Sequence, residues 1–176
     1  RGHCRFLMQS YSLALEDYLR AVEINSSSAS YACDMGDAYQ YLGKWEEAAK
    51  AYQHAVAVDN RYIRAYQNAS WLMATCPDQR IRKTDLAMSA AKKALELAGE
   101  RTAENVETLA AASAAEGRFK EAVQLQLEAI KLANRQANSQ PSQLAEYQQR
   151  LALYQGAQPY VQPQPAVELP ATIETR

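Results

Sequence analysis

The sequence predicts an all-α solenoid in which antiparallel helix pairs stack one after another. A unit of 34 residues, Ala29 to Tyr62, carries small and apolar residues at helical spacing on both sides of a turn at Gly43. Small residues return in the same register upstream and downstream of this unit. Because one helix pair cannot bury its own apolar face, a repeating pair indicates a stacked array.

The anchors of this unit fall in two groups, one for each helix of the pair. Small residues allow two helices to approach closely, and larger residues fill the space between successive pairs. In chain order the anchors are Ala32, Met35, Gly36, Tyr39, Ala48, Tyr52 and Ala55. The same positions upstream hold Gly2, Ala14, Tyr18 and Ala21, and two further units follow downstream.

This spacing resembles the tetratricopeptide repeat family, although Ala32 stands where the family usually has tryptophan and Asn60 where it usually has proline. The resemblance implies a right-handed superhelix of about three and a half repeats plus a C-terminal capping helix. It also implies a protein-binding scaffold and no enzyme. The expected segments are a truncated unit at 1–28, units at 29–62, 63–102 and 103–136, a capping helix at 141–155, and a Pro-rich extended tail at 156–176.

The third unit departs from the pattern between its two helices. Met73 and Ala87 lie 14 residues apart, whereas Tyr39 and Ala48 lie 9 apart, so we expect an inserted loop at 76–84. Pro77 is expected to end the first helix, and Thr84 or Asp85 to cap the start of the next. The runs Trp71–Asp78 and Thr108–Ala112 resemble a subset of bacterial tetratricopeptide proteins whose repeats end larger multidomain chains.

After the repeats we expect an amphipathic helix. Its apolar face would hold Leu144, Tyr147, Leu151 and Tyr154, and its solvent face Gln143, Glu146, Gln149 and Arg150. The tail that follows contains Pro159, Pro163, Pro165 and Pro170, which favour extended backbone. It is expected either to lie in the groove of its own array or a neighbouring copy, or to pack elsewhere as coil.

Composition and motifs argue against most kinds of chemistry. The chain has a net charge of -1, two histidines and three widely spaced cysteines. We therefore expect no catalytic, metal or cofactor site, no nucleic acid partner and no membrane insertion in this segment. The sequence begins Arg1-Gly2-His3 without an initiator methionine, so we expect it to continue upstream, and a cytoplasmic location is favoured.

In the family that this chain resembles, the first helix of each pair lines a concave groove that binds peptides. The matching positions here are Cys33, Asp37, Gln40, Tyr41, Arg64, Gln67, Asn68, Trp71, Glu104, Glu107 and Ala111. The acidic members predict a protein or peptide partner with some basic character. The alternatives are a self-association module, acting through the end repeats or tail exchange, and a regulatory domain of a larger enzyme. A groove predicts exposed Trp71 and Tyr41, and self-association predicts apolar surface at the end repeats.

Overall fold

The computed structural model describes residues 1–135 and 140–165, and these residues form an array of α-helices. No helix in this part of the chain is long and apolar enough to cross a membrane. In chain order the helices are α1 Gly2–Leu7, α2 Tyr11–Ile24, α3 Ala29–Tyr41, α4 Trp45–Val58, α5 Ile63–Thr75, α6 Thr84–Ala98, α7 Ala103–Ala115, α8 Phe119–Ala133 and α9 Pro141–Gln155. The predicted all-α solenoid is confirmed.

Successive helices pack as antiparallel pairs around small residues. The alanines in the first turn of the second helices are fully buried; they are Ala14, Ala48, Ala87 and Ala122. Against α4, the first helix α3 presents Gly36, where a β-carbon would lie 2.5 Å from the ring of Tyr52. The apolar core is therefore a chain of small clusters between neighbouring helices, as expected for a stacked array.

Four of the first helices end in the same tight turn. The residue two positions past each helix has a left-handed backbone; these are Gln9 (φ 59), Gly43 (φ 70), Gly117 (φ 76) and Ala157 (φ 53). The next N–H then donates back to the helix, for example from Lys44 to the Tyr39 carbonyl at 2.9 Å and from Gln158 to the Leu153 carbonyl at 2.9 Å. Helix α9 therefore ends as the first helix of a pair does, but Pro159 follows instead of a second helix.

This shared turn gives a test of backbone strain. Ala157→Gly is expected to raise the free energy of unfolding by about 1 kcal/mol, because glycine adopts positive φ without a steric penalty. Gly117→Ala is expected to lower it by about 1 kcal/mol through backbone strain alone, since a β-carbon there would meet no described atom within 4 Å. Urea unfolding measures both, and a shift of the same sign in the two variants would contradict this account.

Helix α5 ends differently, at the insertion. Cys76 has an extended ψ of 134° before Pro77, and the loop returns to α6 when the Lys83 N–H donates to the Met73 carbonyl at 3.1 Å. Lys83 is the residue at the N-cap of α6, and it makes no side-chain cap hydrogen bond. The prediction of Thr84 or Asp85 as the cap is therefore wrong, because the bond to Met73 starts the helix one residue earlier.

The described part of the Pro-rich tail runs back along the array; we call residues 158–165 the tail segment. Its Gln162 N–H donates to the carbonyl of Thr75 at the end of α5, at 2.8 Å. Farther along, the ring of Pro165 lies beside Gly43, in the turn between α3 and α4. The tail segment thus crosses the ends of two first helices of its own chain. Pro170 and the rest of the predicted tail lie outside the described residues.

Candidate binding groove

A polar network joins α3 to α5 on the face that the sequence predicts to line the groove. Arg64 donates from Nη1 to Asp34 Oδ1 at 2.7 Å, and its Nη2 pairs with Asp37. The Asp37 carboxylate also accepts from Asn68 Nδ2 and from the Tyr52 hydroxyl, each at 2.7 Å. One guanidinium group therefore pairs with two carboxylates within the chain.

Burial sets the acid–base properties of this network. It raises the pKa of the Asp37 carboxyl group above its ordinary value, against the opposing effects of Arg64 and the Tyr52 hydroxyl. It also raises the pKa of Tyr52 well above the usual value. The hydroxyl of Tyr52 therefore keeps its proton and remains a donor to Asp37. Such a network orients the helices and offers little free charge to a partner.

A second ion pair joins α9 to α7. Arg150 is 5% exposed, and its Nη2 lies 2.5 Å from Oε1 of Glu107. Its guanidinium group also lies 5.2 Å from the ring centroid of Trp71, 5.4 Å from that of Tyr147 and 5.3 Å from that of Tyr160. The predicted placement of Arg150 on the solvent face of α9 is wrong, because the carboxylate and three rings together draw it inward.

Burial raises the pKa of Glu107 to about 7, although Arg150 and a hydrogen bond from Tyr147 favour its charged form. A carboxyl group with a raised pKa in the folded protein keeps a proton that the unfolded chain has lost. Its contribution to stability is therefore present at low pH and is lost as the pH rises through about 7. Asp37, whose pKa is also raised, contributes with the same sign.

We accordingly expect the free energy of unfolding to fall, on the order of 2 kcal/mol, between pH 5 and pH 8. Glu107→Gln should flatten this slope, because the amide keeps the shape of the side chain and does not titrate. Glu104→Gln, on the same helix and exposed, is the matched control and should leave the slope unchanged. Thermal unfolding across this pH range is the measurement, and a slope unaffected by Glu107→Gln would contradict the assignment.

The groove itself is an open space of about 1590 Å³ between the first two repeats on one side and α9 with the tail segment on the other. On the first side Tyr11 and Tyr41 stack with ring centroids 4.6 Å apart, and Phe6 meets both edge-on. Tyr41 is 50% exposed. The remaining lining mixes polar and apolar side chains and includes Gln40, Lys44, Trp71, Glu146, Gln149, Arg150, Tyr160, Gln162 and Gln164.

The eleven residues predicted for the groove separate into four groups. Gln40, Tyr41 and Trp71 line the open space. Asp37, Arg64 and Asn68 form the network described above, and Gln67 donates to Asn105 Oδ1 at 2.7 Å. Glu104 is exposed, and Glu107 is covered by Arg150.

Two of these predictions are wrong. Cys33 is 0% and Ala111 is 3% exposed, because each packs into a core cluster between helices. Sequence reasoning also missed Tyr11, Glu146, Gln149, Tyr160 and Gln162 in the lining. The position of Tyr11 could have been recognised from the sequence, because Tyr11 is the first residue of its helix, as Trp45 and Phe119 are of theirs.

No group of three or more His, Cys, Asp or Glu side chains among the described residues could hold a metal ion. Burial raises the pKa of the Cys33 thiol to about 12 and also raises that of Cys76. The two buried thiols therefore stay protonated and poorly nucleophilic at neutral pH.

Comparison with known proteins gives consistent results. A family model for the tetratricopeptide repeat matches residues 29–62. A curated protein, the small glutamine-rich tetratricopeptide repeat-containing protein 2 of Saccharomyces cerevisiae, is 24% identical over 104 residues. That match covers 59% of this chain and 29% of the yeast protein, so the chain spans under a third of its relative.

Two solved structures share the fold. A thermophilic tetratricopeptide repeat protein of Thermus thermophilus superposes with a TM-score of 0.66 at 21% identity, covering 84% of this chain and 78% of that one. The MamA protein superposes with a TM-score of 0.60 at 14% identity, covering 89% and 83%. Likeness to a yeast protein and to a Thermus protein leaves the bacterial subset suggested by the sequence as a prediction.

Proposed function

We propose that the chain binds an extended segment of a partner protein in its groove, because residues 29–62 match the tetratricopeptide repeat model and proteins with such repeats generally mediate protein–protein interactions. The observation that carries this proposal is the Tyr11–Tyr41 stack, in which Tyr41 is 50% exposed, facing polar side chains of α9 across open space. Tyrosines that present a flat apolar face beside hydrogen-bonding groups are typical anchors of protein interfaces.

The dimensions of the groove favour a polypeptide over a small molecule. Its volume of about 1590 Å³ exceeds the roughly 300–1000 Å³ typical of small-molecule sites, and it is open along its length. Its lining includes aromatic rings and glutamine side chains, and the glutamines both donate and accept hydrogen bonds. An extended backbone offers unpaired N–H and C=O groups that such a lining satisfies.

The net charge expected of the partner segment depends on which acidic side chains of this face remain unpaired. The predicted basic character rested on Asp37, Glu104 and Glu107, and two of these carboxylates already pair with arginines of the chain. Glu146, on the groove wall, is exposed and lies 3.4 Å from Arg150. Support for a basic partner therefore comes from Glu104 and Glu146 alone, and we propose a segment of low net charge.

The test begins with a random 12-residue peptide library displayed on phage and selected on the full chain. Selected peptides are then titrated by fluorescence anisotropy. Tyr41→Ala should weaken binding by at least about tenfold, as an interface anchor does. Tyr31→Ala is the matched control, because Tyr31 lies on the same helix and is 40% exposed outside the groove. Peptides that bind Tyr41→Ala as well as the unaltered chain would refute a groove site.

A second candidate function, self-association, also has an observation in its favour. Large apolar side chains at the first repeat are exposed, with Leu7 at 69%, Met8 at 76% and Ile24 at 87%. Exposed apolar side chains of this size are typical of a surface that contacts another protein. If it joins two copies, light scattering should give a dimer for the unaltered chain and a monomer for Leu7→Lys/Met8→Lys. A monomer in both cases, at concentrations up to about 100 μM, would remove this candidate.

A further inference from the structure

The structure assigns the C-terminal end of α5, with Trp71, Thr75 and Arg150, as a docking site for proline-rich segments of partner proteins that carry the pattern Tyr-x-Gln-Pro. The tail segment occupies this site within the chain, and a partner segment binds by displacing it. This inference rests on the proposed function and specifies the chemistry of the partner. The inference is argued from the contacts of Tyr160 and Gln162 with the array. These contacts recognise both the side chains and the extended backbone of the bound segment.

The site exists because α5 lacks the turn that closes the other first helices. Pro77 stands 34 residues after Gly43, at the matching position, and proline has no N–H to donate. In α3 the Gly43 N–H donates to the Gln40 carbonyl at 3.0 Å, and Pro77 supplies no such bond to the matching carbonyl of Ala74. The next carbonyl of α5, that of Thr75, accepts from the Gln162 N–H at 2.8 Å. A helix end that lacks the closing turn thus receives the backbone of an extended segment.

Thr75 also selects the side chain. Its hydroxyl donates to the Trp71 carbonyl at 2.7 Å, so its proton is already in use. The oxygen can therefore only accept, and it accepts from Gln162 Nε2 at 2.7 Å. With the tail segment in place Thr75 is 1% exposed, so this hydrogen bond is shielded from water. An amide fits this position, whereas a carboxylate would place two acceptors against each other.

Tyr160 packs beside both Trp71 and Arg150, which also contact each other. Its ring centroid lies 5.7 Å from that of Trp71 and 5.3 Å from the guanidinium group of Arg150, which itself lies 5.2 Å from the Trp71 centroid. Alternate residues of an extended chain point to the same side, so Tyr160 and Gln162 face the array together. Val161, between them, is 39% exposed. The pattern that the site recognises is therefore an aromatic residue, any residue, and glutamine.

Prolines complete the pattern. Extended proline-rich chains lose little conformational entropy on docking, because their backbone is already restricted. Pro163 follows Gln162 directly, and the ring of Pro165 lies against Gly43, where even a β-carbon would come within 3.3 Å of it. A bulkier turn residue would push the segment away.

The connection to α9 explains why the occupant comes from the same chain and why a partner can replace it. After α9 the Gln158 N–H donates to the Leu153 carbonyl in a tight turn, and the tail segment follows this turn directly. No flexible linker therefore separates the segment from α9 to allow its exchange with another copy. The described contacts that hold the segment are few, and Val161 and Gln164 face solvent. A tethered ligand of this kind acts at a millimolar effective concentration and is displaced by a tighter or more abundant segment.

The experiment uses the full chain and a fluorescein-labelled peptide with the sequence of residues 158–165. In Tyr160→Ala/Gln162→Ala protein, the tethered competitor is weakened, and the peptide should bind at least about tenfold more tightly than it does to the unaltered chain. Val161→Ala protein is the matched control and should behave as the unaltered chain does. The altered residues lie outside every helix, and circular dichroism checks that the array stays folded.

Peptide variants test the recognition chemistry. A Gln162→Glu peptide should lose at least about tenfold in affinity, and a Val161→Ala peptide should lose less than about twofold. Equal binding of the peptide to the unaltered and doubly altered proteins, or equal binding of the Gln162→Glu peptide, would overturn the inference. So would a dimer of the unaltered chain that dissociates in the double variant, because the segment would then be exchanged between copies. Display peptides that still depend on Tyr41 would leave the proposed function standing in each of these cases.

Discussion

Tyr52→Ala is expected to lower the free energy of unfolding by about 3 to 5 kcal/mol, among the largest effects of a single substitution in this chain. Tyr52 is 1% exposed, and its ring fills the space beside Gly36 between α3 and α4. The substitution leaves a cavity and also removes the hydroxyl that donates to Asp37 at 2.7 Å. Tyr52→Phe keeps the ring, so it isolates the hydrogen bond and should cost about 1 to 3 kcal/mol.

A double-mutant cycle with Gly36 tests the packing part of this account. In the unaltered chain Gly36→Ala should cost about 1 to 3 kcal/mol, because its β-carbon would lie 2.5 Å from Cε1 of Tyr52. In the Tyr52→Ala background the clash is gone, and alanine favours a helix over glycine by up to about 1 kcal/mol. The effect of Gly36→Ala should therefore change sign. Urea unfolding of the four proteins measures it, and an equal cost in both backgrounds would show that Gly36 serves some other purpose.

The pair Gly36 and Tyr52 also shows what the sequence could predict about the fold. Both are local anchors at fixed spacing, and their packing depends on residues within one 34-residue unit. Patterns of this kind repeat along the chain, so each unit supports the interpretation of the next. The order and type of the helices follow from such spacing.

The candidate site depends on contacts that no local spacing records. Arg150 lies on α9 with polar neighbours in sequence, yet Glu107, Trp71 and Tyr160 bury it from three different segments. Register identified the helix face that carries Asp37, but it could not show that Arg64 would already occupy that carboxylate. Which charges remain open to a partner is therefore a property of the assembled array.

The position of the tail segment also depends on contacts that sequence spacing does not record. Its prolines predicted extended backbone, and two places for it were left open. Its position follows from Pro77, which prevents α5 from closing with the usual turn, and from the donor that Gln162 supplies to Thr75. Pro77 and Gln162 predict the position of the tail segment only in combination, because the folded array brings them together.

Arg64→Met is expected to lower the free energy of unfolding by about 2 kcal/mol, less than for a fully buried pair because the arginine side chain is 39% exposed. The substitution leaves the carboxylates of Asp34 and Asp37 facing each other without the cation between them. Adding Asp37→Asn should recover most of the loss, because the amide removes the unpaired charge. Arg101→Met is the matched control: its partner Glu128 lies on the surface, and the cost should be within about 1 kcal/mol.

The same variant has a pH signature that separates loss of charge pairing from loss of packing. Burial already raises the pKa of Asp37, and removing Arg64, which opposes that effect, should raise it further. The folded variant then holds a proton that the unfolded chain has released, so its stability should fall more steeply from pH 5 to pH 8 than that of the unaltered chain. Asp37→Asn in the same background should abolish this extra slope. Thermal unfolding at several pH values decides the matter, since a packing defect at Arg64 would lower stability equally at every pH.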